Sequence, residues 1–392
     1  MGALDGMKIL DFTTLYPGPY CTMALADMGA EVLKISAPDR SDLVIDRKPF
    51  IPGRNMGTLA GTLYRNKRTM FLDLRAEEGR EIARKLLDDY DIVIEQFRPG
   101  VMKKFGLDYE ALSKEHPNLI YCSLTGYGQT GPLSMRAGHD INYLARSGLV
   151  SYAGRKDELP SSFGTQIADM VGGGMNAIIG ILAAYISRTK TGEGQFIDVA
   201  MLDGTVALTL GVSGDALISG IVHEPEDQQT TGAGLYDYYE TKDGRYFSVG
   251  AMEPKFFASF ANAIGLPDLA SKKLALSDVP AAKNRVRARF REKTFAEWSE
   301  VFAAVDACVE PVLNAAEVEC DAQMRARHMF VDVPCGKAGT IRQLAGPIKF
   351  SKTPYEYKFA ANPIGHDTQD ILGSLGYSPD QIAGLRGKKV IA

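Results

Sequence analysis

Short apolar runs alternate with stretches of helical spacing through roughly the first 200 residues. Met7–Phe12 has the pattern of a buried strand, Pro17-Gly18-Pro19 breaks it, and Tyr20–Met28 then carries Cys21, Ala24, Leu25 and Met28 at helical spacing. Glu31–Ile35 follows as a second strand, which predicts a βαβ unit. Residues 36–64 read as loop. Further strands are expected at Thr69–Leu74, Asp91–Glu95, Leu119–Ser123 and Gly194–Val199, with a helix over Glu77–Leu87. This alternation predicts an α/β architecture: a large domain built on a mostly parallel, Rossmann-like sheet covered by helices. In such sheets ligands bind at the C-terminal ends of the strands, so the loops carrying Pro17–Pro19, Arg98 and Gly126–Pro132 are expected to wall a pocket. The first turn reads Tyr-Pro-Gly-Pro-Tyr and lacks G-x-G-x-x-G, so nicotinamide or flavin binding by that fingerprint has no support.

The pattern changes near His223. Glu224–Gly232 is polar and turn-rich, and Tyr236–Glu240 and Arg245–Val249 bracket Thr241-Lys-Asp-Gly244 as a hairpin. Helices are expected at Pro254–Ile264, Val286–Arg291 and Phe295–Asp306, and a last one at Asp367–Leu375. The division that follows is residues 1–224 as the large domain, 225–330 as a smaller α+β domain, and 331–392 as a C-terminal segment returning to the large one.

Composition adds mainly exclusions. The 392 residues carry 44 Lys and Arg against 48 Asp and Glu, a net charge of -4 without the basic excess of a general nucleic-acid binder. The five cysteines form no CxxC pair and read as reduced thiols of a cytoplasmic protein. No basic-then-apolar leader opens the sequence. The longest apolar run, Val171–Ile186, is short and Gly-rich for a membrane span and reads as a buried helix. No His-x-x-x-His or Glu-x-x-His spacing suggests a metal.

Three residues stand out as candidates for proton transfer. His139, in Gly138-His139-Asp140, is either an acid/base group or the cap of a helix starting at Asp140. Asp169, three residues before Gly172-Gly173-Gly174, is either a reacting carboxylate beside helix-start amides or a plain N-cap. Glu253, before Pro254, is a helix-start charge or a carboxylate able to orient a histidine. Lys34, Arg40, Arg65, Lys67, Arg68, Arg98 and Lys103 cluster in the first third; they fit a phosphate-rich small ligand or a solvated surface.

Leu10-Asp11-Phe12 with Pro17-Gly18-Pro19, Leu25–Val32, Glu95–Gly100, Thr125–Pro132, Gly192–Gln195 and Asp203-Gly204 together resemble the family III CoA-transferase (CaiB/BaiF) superfamily over nearly the whole chain. Gly138–Tyr143, Asp169 and Ala251–Pro254 look most like its α-methylacyl-CoA racemase branch, an isomerase of lipid metabolism. The resemblance implies that His139 and Asp169 are the two acid/base residues and that Glu253 bonds the histidine. It implies a CoA thioester as substrate, with no separate cofactor, and Arg40, Arg65, Arg68 and Arg98 as phosphate contacts; the family's usual basic position falls at Ala37 here. It further implies an interlocked homodimer in which Glu253 approaches His139 across subunits. Inverting an α-carbon needs one group to remove the proton and another, opposite, to deliver one. Between those steps the enolate oxygen carries charge, for which amides at Asp169 and Gly172 are the expected stabilisers. CoA transfer through an Asp169-bound intermediate is the second reading, and a non-catalytic acyl-CoA-binding protein the third.

Overall fold

The computed structural model describes residues 1–39, 42–271 and 275–392, so Arg40 lies outside the described residues. Six strands, β1 (Lys8–Asp11), β2 (Glu31–Ser36), β3 (Lys67–Phe71), β4 (Ile92–Glu95), β5 (Ile120–Thr125) and β6 (Phe196–Ala200), form one all-parallel sheet in the order β3-β2-β1-β4-β5-β6. Ile9 and Leu10 of β1 and all of β4 and β5 are buried on both faces, which is why these strands are mostly apolar and show no alternation, with polar residues only toward the C-terminal ends of β4 and β5. The strand order reverses between β1 and β4, which makes the space above their C-terminal ends a crevice. The expected parallel sheet is therefore present.

Helix α1 (Pro17–Asp27) starts earlier than its apolar spacing indicated, because Pro17 occupies the first turn, where its missing N–H has no intrahelical partner to lose. The stretch read as loop contains two short helices, Leu43–Asp46 and Thr58–Leu63.

The chain divides into two compact units. The larger comprises Met1–Ser147, Phe163–Leu208 and Gln323–Ala392; the smaller comprises Gly148–Ser162 and Thr209–Ala322. The second unit thus begins at 209 and not 225, ends at 322 and not 330, and takes in a stretch from before Asp169. It is built on the antiparallel strands β7 (Asp237–Glu240), β8 (Tyr246–Val249) and β9 (Val309–Pro311). Its core is aromatic: Phe290 stacks on Tyr239 and packs on Trp298 at 5.0 Å between centroids, and the Trp298 indole donates to Phe290 O at 2.8 Å.

Within the larger unit α2 (Asp140–Arg146) precedes a long helix. That helix opens with a π-helical segment, Ala168–Met175, and continues as α3 (Asn176–Thr191). At 24 residues and a mean hydropathy of 1.6 in its most apolar stretch, it is long and apolar enough to cross a membrane. The expectation of a buried helix holds for one face only: Ala177, Ile181 and Ala184 are buried, while Ile179 and Ile186 are 63% and 57% exposed. Helix α4 (Met201–Ala207) follows β6.

Beneath the crevice the sheet holds a buried ionic cluster. Lys67 of β3 sits 3.4 Å from Asp11 of β1 and donates to Thr22 Oγ1 and Pro19 O at 2.6 and 2.9 Å. Asp11 also accepts from the Thr13 amide at 2.8 Å, and Lys34 of β2 donates to Thr13 O. Lys34 and Lys67 are fully buried, so neither is the ligand-facing cation its position in the basic cluster suggested. Removing Asp11 leaves two buried ammonium groups without their shared counter-charge. We expect Asp11→Ala to lower stability by about 3–5 kcal/mol in denaturant unfolding, whereas Arg68→Ala, which breaks only an exposed pair with Glu31, changes it by less than about 1 kcal/mol.

Candidate active site

The loops leaving β1, β4 and β5 wall a cavity of about 280 Å³ at the point where the strand order reverses. Leu15 and Pro17 come from the first loop, Gln96, Phe97, Arg98 and Pro99 from the second, and Thr125 and Gly126 from the end of β5. The first two walls are joined directly, since the Gly18 amide donates to Gln96 Oε1 at 3.3 Å. His139 and Asp169, thirty positions apart in sequence, both line this cavity.

His139 is the N-cap of α2, with extended backbone, and is exposed. The capping is done by its neighbour: Asn142 Oδ1 accepts the His139 amide at 3.0 Å. Tyr143 Oη donates to Gly138 O at 2.7 Å and its ring meets Tyr127 edge-on, so α2 braces the segment that carries His139 against the glycine loop. Cap and cavity-lining residue are thus one and the same.

Asp169 lies in the π-helical opening of the long helix and is half-buried. Burial pushes its carboxyl up to about 7, and the charge of Asp140 adds to the rise. Asp140 also holds the backbone there, accepting the Asp169 amide on Oδ1 at 3.0 Å. Asp140 had no role in the sequence reading; its position beside His139 was visible, but its contact with a residue 29 positions away was not.

The three glycines explain how the helix reaches this place. A Cβ on Gly172 would stand 2.6 Å from Met201 O, and one on Gly174 would stand 2.9 Å from Pro17 O. Only bare backbone lets the π-helical segment pack against the starts of α4 and α1. Gly172 is accordingly buried and does not line the cavity, and the Asp169 amide is already bonded to Asp140. The expected pair of enolate-facing amides is therefore not available; the cationic side chains that do line the cavity are Arg98 and Arg136.

A groove of about 570 Å³ adjoins the cavity and shares Gln96, Phe97 and Arg98 with it. Leu72, Leu74, Val101 and Phe105 supply apolar walls, and Arg75, paired with Asp39 and Asp73 at 2.8 Å, supplies a second guanidinium that the sequence reading overlooked.

A model of CoA-transferase family III matches residues 4–368. The chain belongs to CoA-transferase family III. It is 36% identical to α-methylacyl-CoA racemase of Homo sapiens over 99% of this chain and 97% of that protein. It is 33% identical to succinyl-CoA:mesaconate CoA-transferase of Haloarcula hispanica over 90% and 91%. Among solved structures, a CaiB/BaiF family protein from Brucella suis superimposes with a TM-score of 0.85 at 29% identity, covering 95% of this chain and 99% of that one.

In this family III chain the other nominated residues separate. Arg98 lines both the cavity and the groove. Arg65 is 2% exposed: its guanidinium is held by Asp27 at 2.6 Å, Gln343 at 3.0 Å and Leu344 O at 2.8 Å, which leaves it unavailable to a phosphate. Arg68 points to the other face of β3, 3.6 Å from Glu31, and lines neither space. Glu253 belongs to the smaller unit, where it is the exposed N-cap of α5 (Pro254–Ala263).

The raised pKa of Asp169 has a cost in stability. The folded chain holds this proton more tightly than the unfolded one, so stability from this group is full below the ordinary carboxyl range and is lost as pH rises through about 7. Asp169→Asn is expected to melt at a higher temperature than wild type at pH 8, with the gap shrinking toward pH 4. Equal melting temperatures across that range would show that the carboxyl is not strained by its burial.

Proposed function

We propose that this chain is an isomerase that interconverts (R)- and (S)-2-methylacyl-CoA thioesters, by removing the α-proton and returning one to the opposite face through an enolate. The observation that carries the proposal is the shared cavity: an imidazole and a carboxyl poised near 7 line one small space beside a longer groove. An acid/base group works best when its pKa is near the working pH, because both protonation states are then populated. His139 and Asp169 serve the two faces and exchange roles with the direction of reaction. The groove takes the CoA portion, with Arg98 and Arg75 toward its phosphates, and Arg98 or Arg136 meets the developing enolate charge. The match to human α-methylacyl-CoA racemase supports the choice of substrate class.

The proposal includes a homodimer in which Glu253 of one subunit approaches His139 of the other. The apolar surface left open on the single chain supports it: Ile179 and Ile186 of α3, and Leu217 and Ile218 at 85% and 87% exposure in the smaller unit. CoA transfer is the second reading, favoured by the match to a succinyl-CoA transferase; Asp169 would then attack the thioester carbonyl to give an acyl-aspartyl anhydride, and the CoA thiolate so released would attack the aspartyl carbonyl, expelling the acyl carboxylate and leaving CoA as a thioester on Asp169.

In deuterated water the racemase reading predicts that a 2-methylacyl-CoA exchanges its α-hydrogen with inversion, and that His139→Ala and Asp169→Ala each lower kcat by about 10²–10⁴-fold. CoA delivered to an added free acid without α-exchange would overturn it in favour of transfer. Racemisation has an equilibrium constant of unity at every pH, so kcat/KM of the two enantiomers follows one shared pH profile. Each direction needs one of the two groups with a proton and the other without, so that profile falls where both hold a proton and where neither does, and the Asp169 carboxyl, near 7, sets one of the two limbs. Following both enantiomers from about pH 5 to 10 measures this, and a profile without a falling limb on each side would refute the pairing of roles.

A further inference from the structure

Glu95 ends β4 and is 4% exposed, yet the proton-transfer scheme gives it no part. A carboxyl in that setting needs a reason, because burying one without partners is strongly unfavourable. Its partners are specific. In the sheet register Glu95 stands opposite Ser123 of β5, which stands opposite Asp198 of β6. Residues directly paired across strands share a face, so the three side chains form a row along the C-terminal edge of the sheet.

Each end of the row holds a loop. Glu95 accepts from the Ser123 hydroxyl and, on its other oxygen, from the Phe97 amide at 2.7 Å. The Phe97 amide begins the turn Phe97-Arg98-Pro99-Gly100, from which Phe97 and Arg98 line both the cavity and the groove. Asp198 accepts the Gln129 amide on both oxygens, at 3.2 and 3.0 Å, and so holds the glycine loop that begins with Thr125 and Gly126. Of the two carboxyls, Glu95 is the one shielded from solvent, and its loop is the one that presents the guanidinium common to both spaces.

We propose that Glu95 is a positioning residue for the CoA half of the substrate: by holding the Phe97 amide it fixes the turn that aims Arg98, while Ser123 fixes Glu95. The proposal rests on the reading of the groove as a CoA site. Burial pushes the Glu95 carboxyl up to about 7 against the two hydrogen bonds it accepts, so its carboxylate is a more basic acceptor for the Phe97 amide than an exposed one would be.

The test compares wild type with Glu95→Ala, Glu95→Gln and Ser123→Ala, measuring free CoA binding by calorimetry and turnover of a 2-methylacyl-CoA. Glu95→Ala is expected to weaken CoA binding about tenfold and to raise KM more than it lowers kcat. Glu95→Gln keeps a carbonyl oxygen for the Phe97 amide and restores most of the affinity; a general loss of folding would not be rescued in this way. Ser123→Ala, the milder change, weakens CoA binding about twofold to threefold and carries the test if Glu95→Ala fails to fold. Wild-type affinity in both Glu95→Ala and Ser123→Ala overturns the proposal, as does a loss in Glu95→Ala that Glu95→Gln leaves unrepaired. A wild-type protein that binds no CoA refutes the groove reading itself, a result visible before any variant is compared.

Discussion

The contact between Asp11 and Lys67 holds the site's first wall in place. Two ammonium groups and one carboxylate lie in the sheet interior, where an unpaired charge is not tolerated. Burial alone would raise the Asp11 carboxyl, but Lys67 and Lys34 hold it below its usual range; burial lowers Lys67 to about 8 even though Asp11 pulls the other way. The remaining hydrogen-bonding capacity goes to Thr13, Pro19 and Thr22, that is, to the loop after β1 and the start of α1. A hydrophobic replacement could fill the same volume, but it would not bond those backbone oxygens. The cluster therefore fixes the place where Leu15 and Pro17 enter the cavity.

The second wall is set by close packing and not by charge. The π-helical segment can bring Asp169 to the cavity only if its neighbours 172–174 lack side chains, because Met201 and Pro17 occupy the space that a Cβ would need. Once there, Asp169 is partly shielded from solvent and faces Asp140, and both conditions disfavour its charge. The shift in its pKa is thus a consequence of the same contacts that position it. The bond from its own amide to Asp140 ties this helix to the one capped by His139, so displacing either would disturb both cavity-lining groups.

Much of this was legible in sequence where the signal is local. Buried strands such as Ile92–Glu95 announce themselves as apolar runs, and Pro17-Gly18-Pro19 marks the turn out of β1. His139 and Asp169 were singled out by their glycine neighbours, and those neighbours do have a structural cause. What sequence could not separate was one basic residue from another. Lys67 and Arg68 are adjacent, and strand alternation sends the first into the core and the second toward Glu31, while Arg65 disappears into a pair with Asp27. Arg75 was overlooked because its place in the groove depends on strands and loops distant in sequence. The helices Leu43–Asp46 and Thr58–Leu63 are too short to show a period, and the smaller unit's claim on Gly148–Ser162 rests on contacts such as Arg155 with Asp237, 82 positions apart.

Racemase and transferase relatives match this chain over nearly its whole length at similar identity, so the fold does not decide between the two reactions. The difference has to lie in what the cavity asks of Asp169. Attack on a thioester requires the ionised carboxylate, and a group held near 7 by burial is only partly in that form at neutral pH. Proton exchange at a carbon requires both forms in turn, and for that a pKa near 7 is the favourable value. A carboxyl alone would still return the proton to the face it came from. Under the proposed racemisation the exposed imidazole of His139 in the same cavity would give that poise a use, whereas a transferase intermediate on Asp169 would have no need of a second group able to hand over a proton.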